Sequence, residues 1–389
     1  MSHGTVTTNR IVDKAHRLGF DLVGVVRPEP PTTFDDYKSW LENGFHGEMA
    51  YLARPDAVAK RADLSHIQPN LRSVVTVGAN YHTVALPDNL RDDPSKGIFA
   101  SYAWGGEYHD LFASRLHQLA AFIQNLYGET MTYRAYADTG PILERDLAVR
   151  SGLGFVGKNT NLINPRLGSW LFLGELLLDT DLPATQPSPT QGSCGSCTRC
   201  LDACPTGALV APYVLDARRC VSYLTIELKG VIPRALRPLL GNRIFGCDIC
   251  QEVCPWNHRF ARPTQESAFQ PRPDALAPRL TELLALDASD FRHRFQASPV
   301  KRAKRRGLLR NAAVALGNWG DPSIVAPLTR ALQDDEPLIR GHAAWALGRI
   351  ACSEAQSALA QASSAETDLW VQQEIGLSLR ACRESEPQA

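Results

Sequence analysis

Eight cysteines, spaced as two interlocking runs, constrain this chain more than any other feature of its sequence. Residues 194–208 read CGSCTRCLDACPTGA, a C-x2-C-x2-C-x3-C-P run of Cys194, Cys197, Cys200, Cys204 and Pro205. In that spacing the first three thiolates hold one 4Fe–4S cluster and the fourth reaches a second cluster. Residues 246–256, GCDICQEVCPW, repeat the ending with Cys247, Cys250, Cys254 and Pro255. Cys220 supplies the missing first cysteine, with 26 residues inserted before Cys247. Crossed pairing then assigns Cys194, Cys197, Cys200 and Cys254 to cluster one, and Cys204, Cys220, Cys247 and Cys250 to cluster two. Zinc is the alternative ligand of C-x2-C pairs, but it takes two separated pairs. Three cysteines at successive x2 spacing, with proline after both fourth cysteines, favour the clusters. Cys352 and Cys382 have no such spacing and read as buried apolar residues.

The surroundings bear this out. The N-terminal stretch MSHGTVTTNRIVDKAHRLGFD carries neither the apolar run of a signal peptide nor a twin arginine. No apolar stretch of about 18 residues predicts a membrane span. A soluble, cytoplasmic protein is expected, where thiols stay reduced and ten cysteines make poor disulfides but good metal ligands. Two clusters pass electrons singly, and the chain on either side of them is long enough to house the acceptor.

Upstream, FDLVGVV (20–26), SVVTVG (73–78) and WLFLGELLL (170–178) read as strands. Residues 108–128 have helix-period apolar positions ending at Gly128. Residues 181–193, DLPATQPSPTQGS, read as a linker. GLGFVG (152–157) matches G-x-G-x-x-G but follows a helical pattern rather than a strand, so nicotinamide binding is not expected of it. Downstream, NAAVALG (311–317) recurs as HAAWALG (342–348), with a weaker copy in VQQEIGLSL (371–379). Helix pairs at that period, with an Asp-Pro turn, are a HEAT-like solenoid. The expected fold class is α+β. An N-terminal α/β domain spans 1–185, a ferredoxin-like two-cluster domain 186–262, and HEAT-like helical repeats 280–389.

Lys plus Arg equals Asp plus Glu, 41 each, so only local charge is informative. Phe291 to Gly320 contains eight Lys or Arg and no acid, centred on Lys301, Arg302, Lys304, Arg305 and Arg306. Between Leu228 and Cys247 lie Lys229, Arg234, Arg237 and Arg243, again without an acid. A solvated helix start is the plain reading. A positive helix N-terminus opposes the helix dipole, and a polyanion suits this charge better.

Together these pieces resemble the epoxyqueuosine reductases, cobalamin-dependent iron–sulfur enzymes of tRNA modification. The likeness runs through YLARPDAVAKRADLSHIQPNLRSVV (51–75), SYAWGGEYHDLF (101–112), YADTGPILERDLAVRSGLGFVGKNTNLI (136–163), CVSYLTIELKG (220–230) and FGCDICQEVCPWN (245–257). It implies cobalamin held by the N-terminal domain, and a two-electron reduction that removes the epoxide oxygen of epoxyqueuosine at the tRNA wobble position. The family's catalytic aspartate falls on Asp138, as general acid. Read from its neighbours alone, Asp138 is equally a helix cap ahead of Pro141; the resemblance favours the acid. Arg61, Ser101, Tyr102, Lys158, Asn159, Thr160, Tyr223 and Asp248 lie in the shared stretches and, with Asp138 itself, become candidate cobalamin or substrate contacts. Arg61 alternatively pairs with Asp63. The expected partners are tRNA, contacted by Lys229, Arg234 and Lys301 to Arg306, and an external low-potential electron donor; a monomer is expected. Two other readings compete. A reductive dehalogenase also joins cobalamin to two clusters but carries a twin-arginine signal. A non-enzymatic electron carrier leaves residues 1–185 unexplained.

Overall fold

The computed structural model describes residues 3–128, 130–185 and 192–384. Part of the expected linker, residues 186–191, lies outside them. The chain forms two compact units, each built from separated stretches: Met1–Val84, Glu107–Arg218 and Asp248–Gln270 in one, Ala85–Gly106, Arg219–Cys247 and Pro271–Ala389 in the other.

The first unit is organised by a four-stranded antiparallel sheet. Its strands are β1 (Leu22–Val26), β2 (Ser73–Asn80), β3 (Tyr133–Tyr136) and β4 (Leu171–Leu178), in the order β1–β2–β4–β3. β2 is buried at every position, which explains why its valines stand on both faces instead of alternating with exposed polar residues. Three helices pack on the sheet: α1 (His3–Arg17), α2 (Tyr108–Tyr127) and α3 (Glu144–Arg150). α2 buries Tyr108, Phe112, Leu116, Leu119, Ala120 and Ile123, a helix-period stripe, and stops at Gly128 with φ 110°. α3 inserts Leu147 into a core with Val26, Val74, Ile142 and Leu177. The three strands expected from sequence are present; β3 was not among them. Gly154 of the G-x-G-x-x-G segment comes after α3, and a Cβ there would sit 2.3 Å from the Ile163 carbonyl oxygen. Its glycine therefore serves close backbone packing.

The second unit contains α4 (Val221–Ile226), a parallel strand pair Ile98–Phe99 with Arg243–Phe245, and the helical tail. In the tail α5 (Lys304–Trp319), α6 (Pro337–Ile350) and α7 (Leu369–Glu384) stack in turn. The repeated motif glycine is what allows the stack. A Cβ on Gly317 would meet Trp345 at 2.7 Å and the Ala346 Cα at 2.8 Å, and one on Gly348 would meet Ser378 at 2.5 Å.

Polar residues of the stacked helices grip the insertion between Cys220 and Cys247. Arg310, fully buried, donates to the carbonyls of Leu224, Leu228 and Gly230 at 2.7–2.8 Å. Asn311 donates to the carbonyls of Thr225 and Ile244, both at 2.8 Å. Arg237 of the insertion is fully buried against Glu374 of α7 in a bidentate pair at 3.0 Å. His342 Nε2 accepts the Ile232 N–H at 3.3 Å while Nδ1 donates to Leu338 O at 2.7 Å. Burial first, then Arg237 and Arg310, hold its pKa well below the usual imidazole value, so this histidine is neutral.

Candidate active site and cysteine cradle

Asp138 lies in the loop joining β3 to α3, with a left-handed backbone at φ 58°. A non-glycine residue holds that conformation only when its surroundings fix it. Its N–H donates to Glu144 Oε1 at 2.8 Å. The Tyr108 hydroxyl donates to Asp138 Oδ2 at 2.7 Å, and His109 Nε2 stands 3.9 Å from the same oxygen. Tyr108 is steadied by stacking on Phe172, with centroids 4.0 Å apart and planes 9° from parallel. His109 Nδ1 is 2.6 Å from Glu107 Oε1. The Asp138 side chain is 59% exposed. Asp138 caps no helix, because α3 starts at Glu144 with Leu143 in the N-cap position.

Two further carboxyl groups lie behind this loop. Burial, and then the Asp138 carboxylate, push Glu144 up to about 7. Glu175, on β4, is fully buried and its carboxyl group lies against that of Glu144. Burial, and then the Glu144 carboxylate, drive it well above the usual carboxylate range. Tyr108, His109, Glu144 and Glu175 were not singled out from sequence. YH and E stand within the stretches that carry the resemblance, yet nothing in their spacing says that they converge.

The cysteine loops form the second feature of this unit. Cys194, Cys197, Cys200 and Cys254 line one cavity of about 170 Å³, together with Asn159, Arg199 and Trp256. Four thiols drawn from two distant stretches around one space fit a cluster with one member from the second run. Amide groups point at the sulfurs. The Lys158 N–H donates to Cys194 Sγ and the Ala208 N–H to Cys204 Sγ, each at 3.3 Å. Asn161 Nδ2 donates to Cys250 Sγ at 3.9 Å. Burial, with Cys194 next in weight, pushes the Cys200 thiol up, and burial likewise raises Cys254. At Cys204 burial acts upward, but the Thr206 hydroxyl and neighbouring backbone N–H groups outweigh it and lower the pKa.

Lys158 and Asn159, expected near the cofactor or substrate, engage the cysteine loops. Lys158 Nζ donates to the carbonyls of Gly195 and Cys197 at 2.7 and 3.0 Å; Asn159 Nδ2 donates to the Cys250 carbonyl at 3.2 Å. Thr160 has φ 66° and its carbonyl accepts from Arg145. Arg61 is buried, lies over the Tyr37 ring and donates to Ala57 O, while Asp63 accepts the Ser65 N–H. Asp248 precedes the short helix Ile249–Glu252. In the second unit, Ser101 opens the turn Ser101–Ala103, Tyr102 lies 6.0 Å from the Phe245 ring, and Tyr223 is buried in α4. Cys220 precedes α4 and Cys247 follows the strand Arg243–Phe245. Cys382 is buried, as expected; Cys352 is only half-buried.

The basic residues divide. Arg234 is paired with Glu374. Arg305 is bound to Asp334 through both terminal nitrogens and donates to Leu286 O. Arg294 pairs with Asp274 at 3.2 Å. Lys229 donates to Ile226 O; burial, followed among the cations by Arg310, Lys304 and Arg306, lowers its pKa. Lys301 and Lys304 are exposed, and Arg302 and Arg306 half-buried.

Comparison with known proteins places this geometry. An epoxyqueuosine reductase QueG model matches residues 61–139, a 4Fe-4S double cluster binding domain residues 193–257, and HEAT repeats residues 302–380. The epoxyqueuosine reductase of Pseudomonas aeruginosa is 44% identical over 348 residues, 87% of this chain and 93% of its own. The chain belongs to the epoxyqueuosine reductase family. The Escherichia coli reductase is 42% identical over 336 residues, covering 85% of this chain and 86% of its own. A crystal structure of an epoxyqueuosine reductase with an epoxyqueuosine-modified tRNA-Tyr stem loop superimposes with TM-score 0.89 at 31% identity, over 98% of this chain and all of the other. A Bacillus subtilis reductase whose catalytic loop is swung out of the active site superimposes equally, over 97% of this chain and all of its own. Among the described residues, no helix is long and apolar enough to cross a membrane.

Proposed function

We propose that this chain reduces epoxyqueuosine in tRNA to queuosine, with Asp138 as the proton donor. The observation carrying the reading is the Asp138 carboxyl group itself. It is held by the Tyr108 hydroxyl, with His109 Nε2 3.9 Å away, while most of its side chain stays exposed, as a group must be that meets a substrate. The overall reaction takes two electrons and two protons, breaks both carbon–oxygen bonds of the epoxide, leaves an alkene and releases water. An alkoxide is a poor leaving group, so a proton delivered by Asp138 to the epoxide oxygen removes the main cost. Tyr108 orients the carboxyl group. His109, between Glu107 and Asp138, offers a path for its reprotonation.

The cysteine cradle fits iron–sulfur clusters: Cys194, Cys197, Cys200 and Cys254 hold one, and spacing assigns Cys204, Cys220, Cys247 and Cys250 to the other. Amide N–H groups aimed at the sulfurs stabilise added negative charge. Lys158 and Asn159 belong to this cradle and brace its loops. Cobalamin, which the family uses, would supply a strongly reducing metal centre. Ser101, Tyr102, Tyr223, Asp248, Thr160 and Arg61 remain its proposed contacts. Lys229, Lys301, Arg302, Lys304 and Arg306 are the proposed tRNA contacts. An external low-potential donor feeds the clusters, in a cytoplasmic monomer.

The test is to incubate the reconstituted protein with cobalamin, a low-potential reductant and epoxyqueuosine-containing tRNA, then digest and analyse the nucleosides. Conversion to queuosine is expected. Unchanged epoxyqueuosine in the presence of filled clusters and bound cobalamin would refute the reading.

A further inference from the structure

Behind Asp138 stands a layer of carboxyl groups that proton donation alone does not require. We propose that Glu144 is a positioning residue for Asp138: backed by Glu175, its carboxyl group latches the Asp138 amide and holds the aspartate in the left-handed turn from which it reaches substrate. This rests on the reading of Asp138 given above.

Three features support it. The Asp138 N–H has a side-chain acceptor, Glu144 Oε1 at 2.8 Å, at a residue whose φ of 58° needs external support. The loop is folded tightly onto β3, because a Cβ on Gly140 would lie 2.6 Å from the Tyr136 ring. Glu175 pairs with Tyr136 across the β3–β4 register. It shares a sheet face with Leu177, two residues on, which packs with Leu147 of α3. Glu175 therefore faces the helix that Glu144 opens.

The electrostatic setting gives the latch its character. α3 packs against β1, β2, β4 and the two-residue strands Phe155–Val156 and Leu162–Ile163. Of these, only β4 carries a titratable side chain, Glu175. The other charged or titratable neighbours are Asp138; Tyr136 of β3, opposite Glu175; Arg145, whose guanidinium donates to Thr160 O; the Asp146–Arg150 pair of α3; and Tyr108, His109 and Glu107 beyond Asp138. Two buried carboxyl groups that repel each other do not both ionise near neutrality. A proton retained on Glu175 leaves Glu144 able to accept the amide as a carboxylate, and Glu144 itself titrates at about 7. A charge-assisted bond is stronger than a neutral one.

Hydrogen exchange at the residue 138 amide, measured on the full chain, reads the latch directly. In the wild type its protection factor should rise about fivefold as pH increases through about 7, the difference between a neutral and a charge-assisted bond. Glu144→Gln keeps an acceptor of the same shape, so protection should persist but lose that pH dependence. Glu144→Ala should exchange about tenfold faster or more, with tRNA turnover falling alongside. Exchange in Glu144→Ala equal to wild type, or exchange in Glu144→Gln as fast as in Glu144→Ala, would overturn the proposal; so would a wild-type residue 138 amide that shows no protection at any pH, an outcome that needs no variant to fold. Asp138→Asn separates the two readings: full turnover there removes the acid role, while exchange of the amide at position 138 still reports on Glu144.

Discussion

At the scale of single residues, the Asp138 carboxyl group separates chemistry from support. Asp138→Asn preserves shape, the backbone N–H and an oxygen able to accept from Tyr108. Fold, iron content and cobalamin binding should therefore survive, while turnover falls on the order of a hundredfold or more, the range for a positioned acid. Turnover within a few fold of wild type would contradict the assignment. Glu144 makes a different prediction, in stability. Its pKa is about 7 in the folded protein against an ordinary 4.5. Between those values the native state keeps a proton that the unfolded chain has released. Stability contributed by this group is therefore complete at low pH and declines as pH rises through the window. Glu144→Gln has no proton to lose, so the gap in melting temperature between wild type and variant should move in the variant's favour from acid to neutral pH. A constant gap would mean that Glu144 titrates normally. Asp138 was legible only through resemblance to a family. Its own neighbours left it equally a helix cap, because Asp-Thr-Gly-Pro is also how helices begin. What excludes the cap is the true start of α3 at Glu144.

At the scale of elements, close helix packing in the tail depends on the motif glycines. Gly317→Ala would force a methyl group into Trp345 and the α6 backbone, and overpacking of this kind costs about 1–3 kcal/mol. Gly307, in the same helix, has only the Ala303 Cβ nearby, at 3.6 Å. Gly307→Ala should be neutral, or stabilising by up to about 1 kcal/mol through helix propensity. Equal effects at both sites, in denaturant melts, would show that backbone entropy rather than helix approach sets the result. The basic run at the start of α5 gives a second contrast. Replacing Lys304 and Arg306 with Ala should flatten the salt dependence of tRNA binding by roughly 1.4–1.8 units for two lost phosphate contacts. Arg305→Ala should leave that slope alone and lower the melting temperature, since its guanidinium already serves Asp334. The reverse pattern would place Arg305 on the nucleic acid. The acid-free window of the sequence is compensated at two of its residues, Arg294 and Arg305, by acids from residues 274 and 334, which only folding brings near. Long apolar elements such as β2 and α2 could be read directly because burial imposes their period. β3, with the sequence YRAY, could not, because it is a half-buried edge strand without an apolar run.

At the scale of the whole molecule, the cysteine spacing predicts eight iron atoms per chain after anaerobic reconstitution, four for each cluster. A count near four, or stoichiometric tightly bound zinc, would refute it. The tail bears on this number. Arg310→Met would strip three backbone carbonyls of their donor, and such buried groups cost about 1–3 kcal/mol each when unpaired. Because those carbonyls belong to the segment following Cys220, the variant should retain iron at Cys194, Cys197, Cys200 and Cys254 and lose it from the other set. Full iron content in Arg310→Met would show that the insertion holds its shape unaided.

The grip of Glu374 on Arg237 also carries a consequence for biosynthesis. Translation delivers the insertion long before it delivers α7. Until residue 374 has left the ribosome, a fully buried arginine of the second unit lacks its bidentate partner, and an uncompensated charge of that kind cannot be packed away cheaply. The stretch between Cys220 and Cys247 therefore completes its folding only once α7 has emerged. A message truncated just short of α7 would yield a chain containing every cysteine of the block and still lacking the residue that closes the segment between two of them.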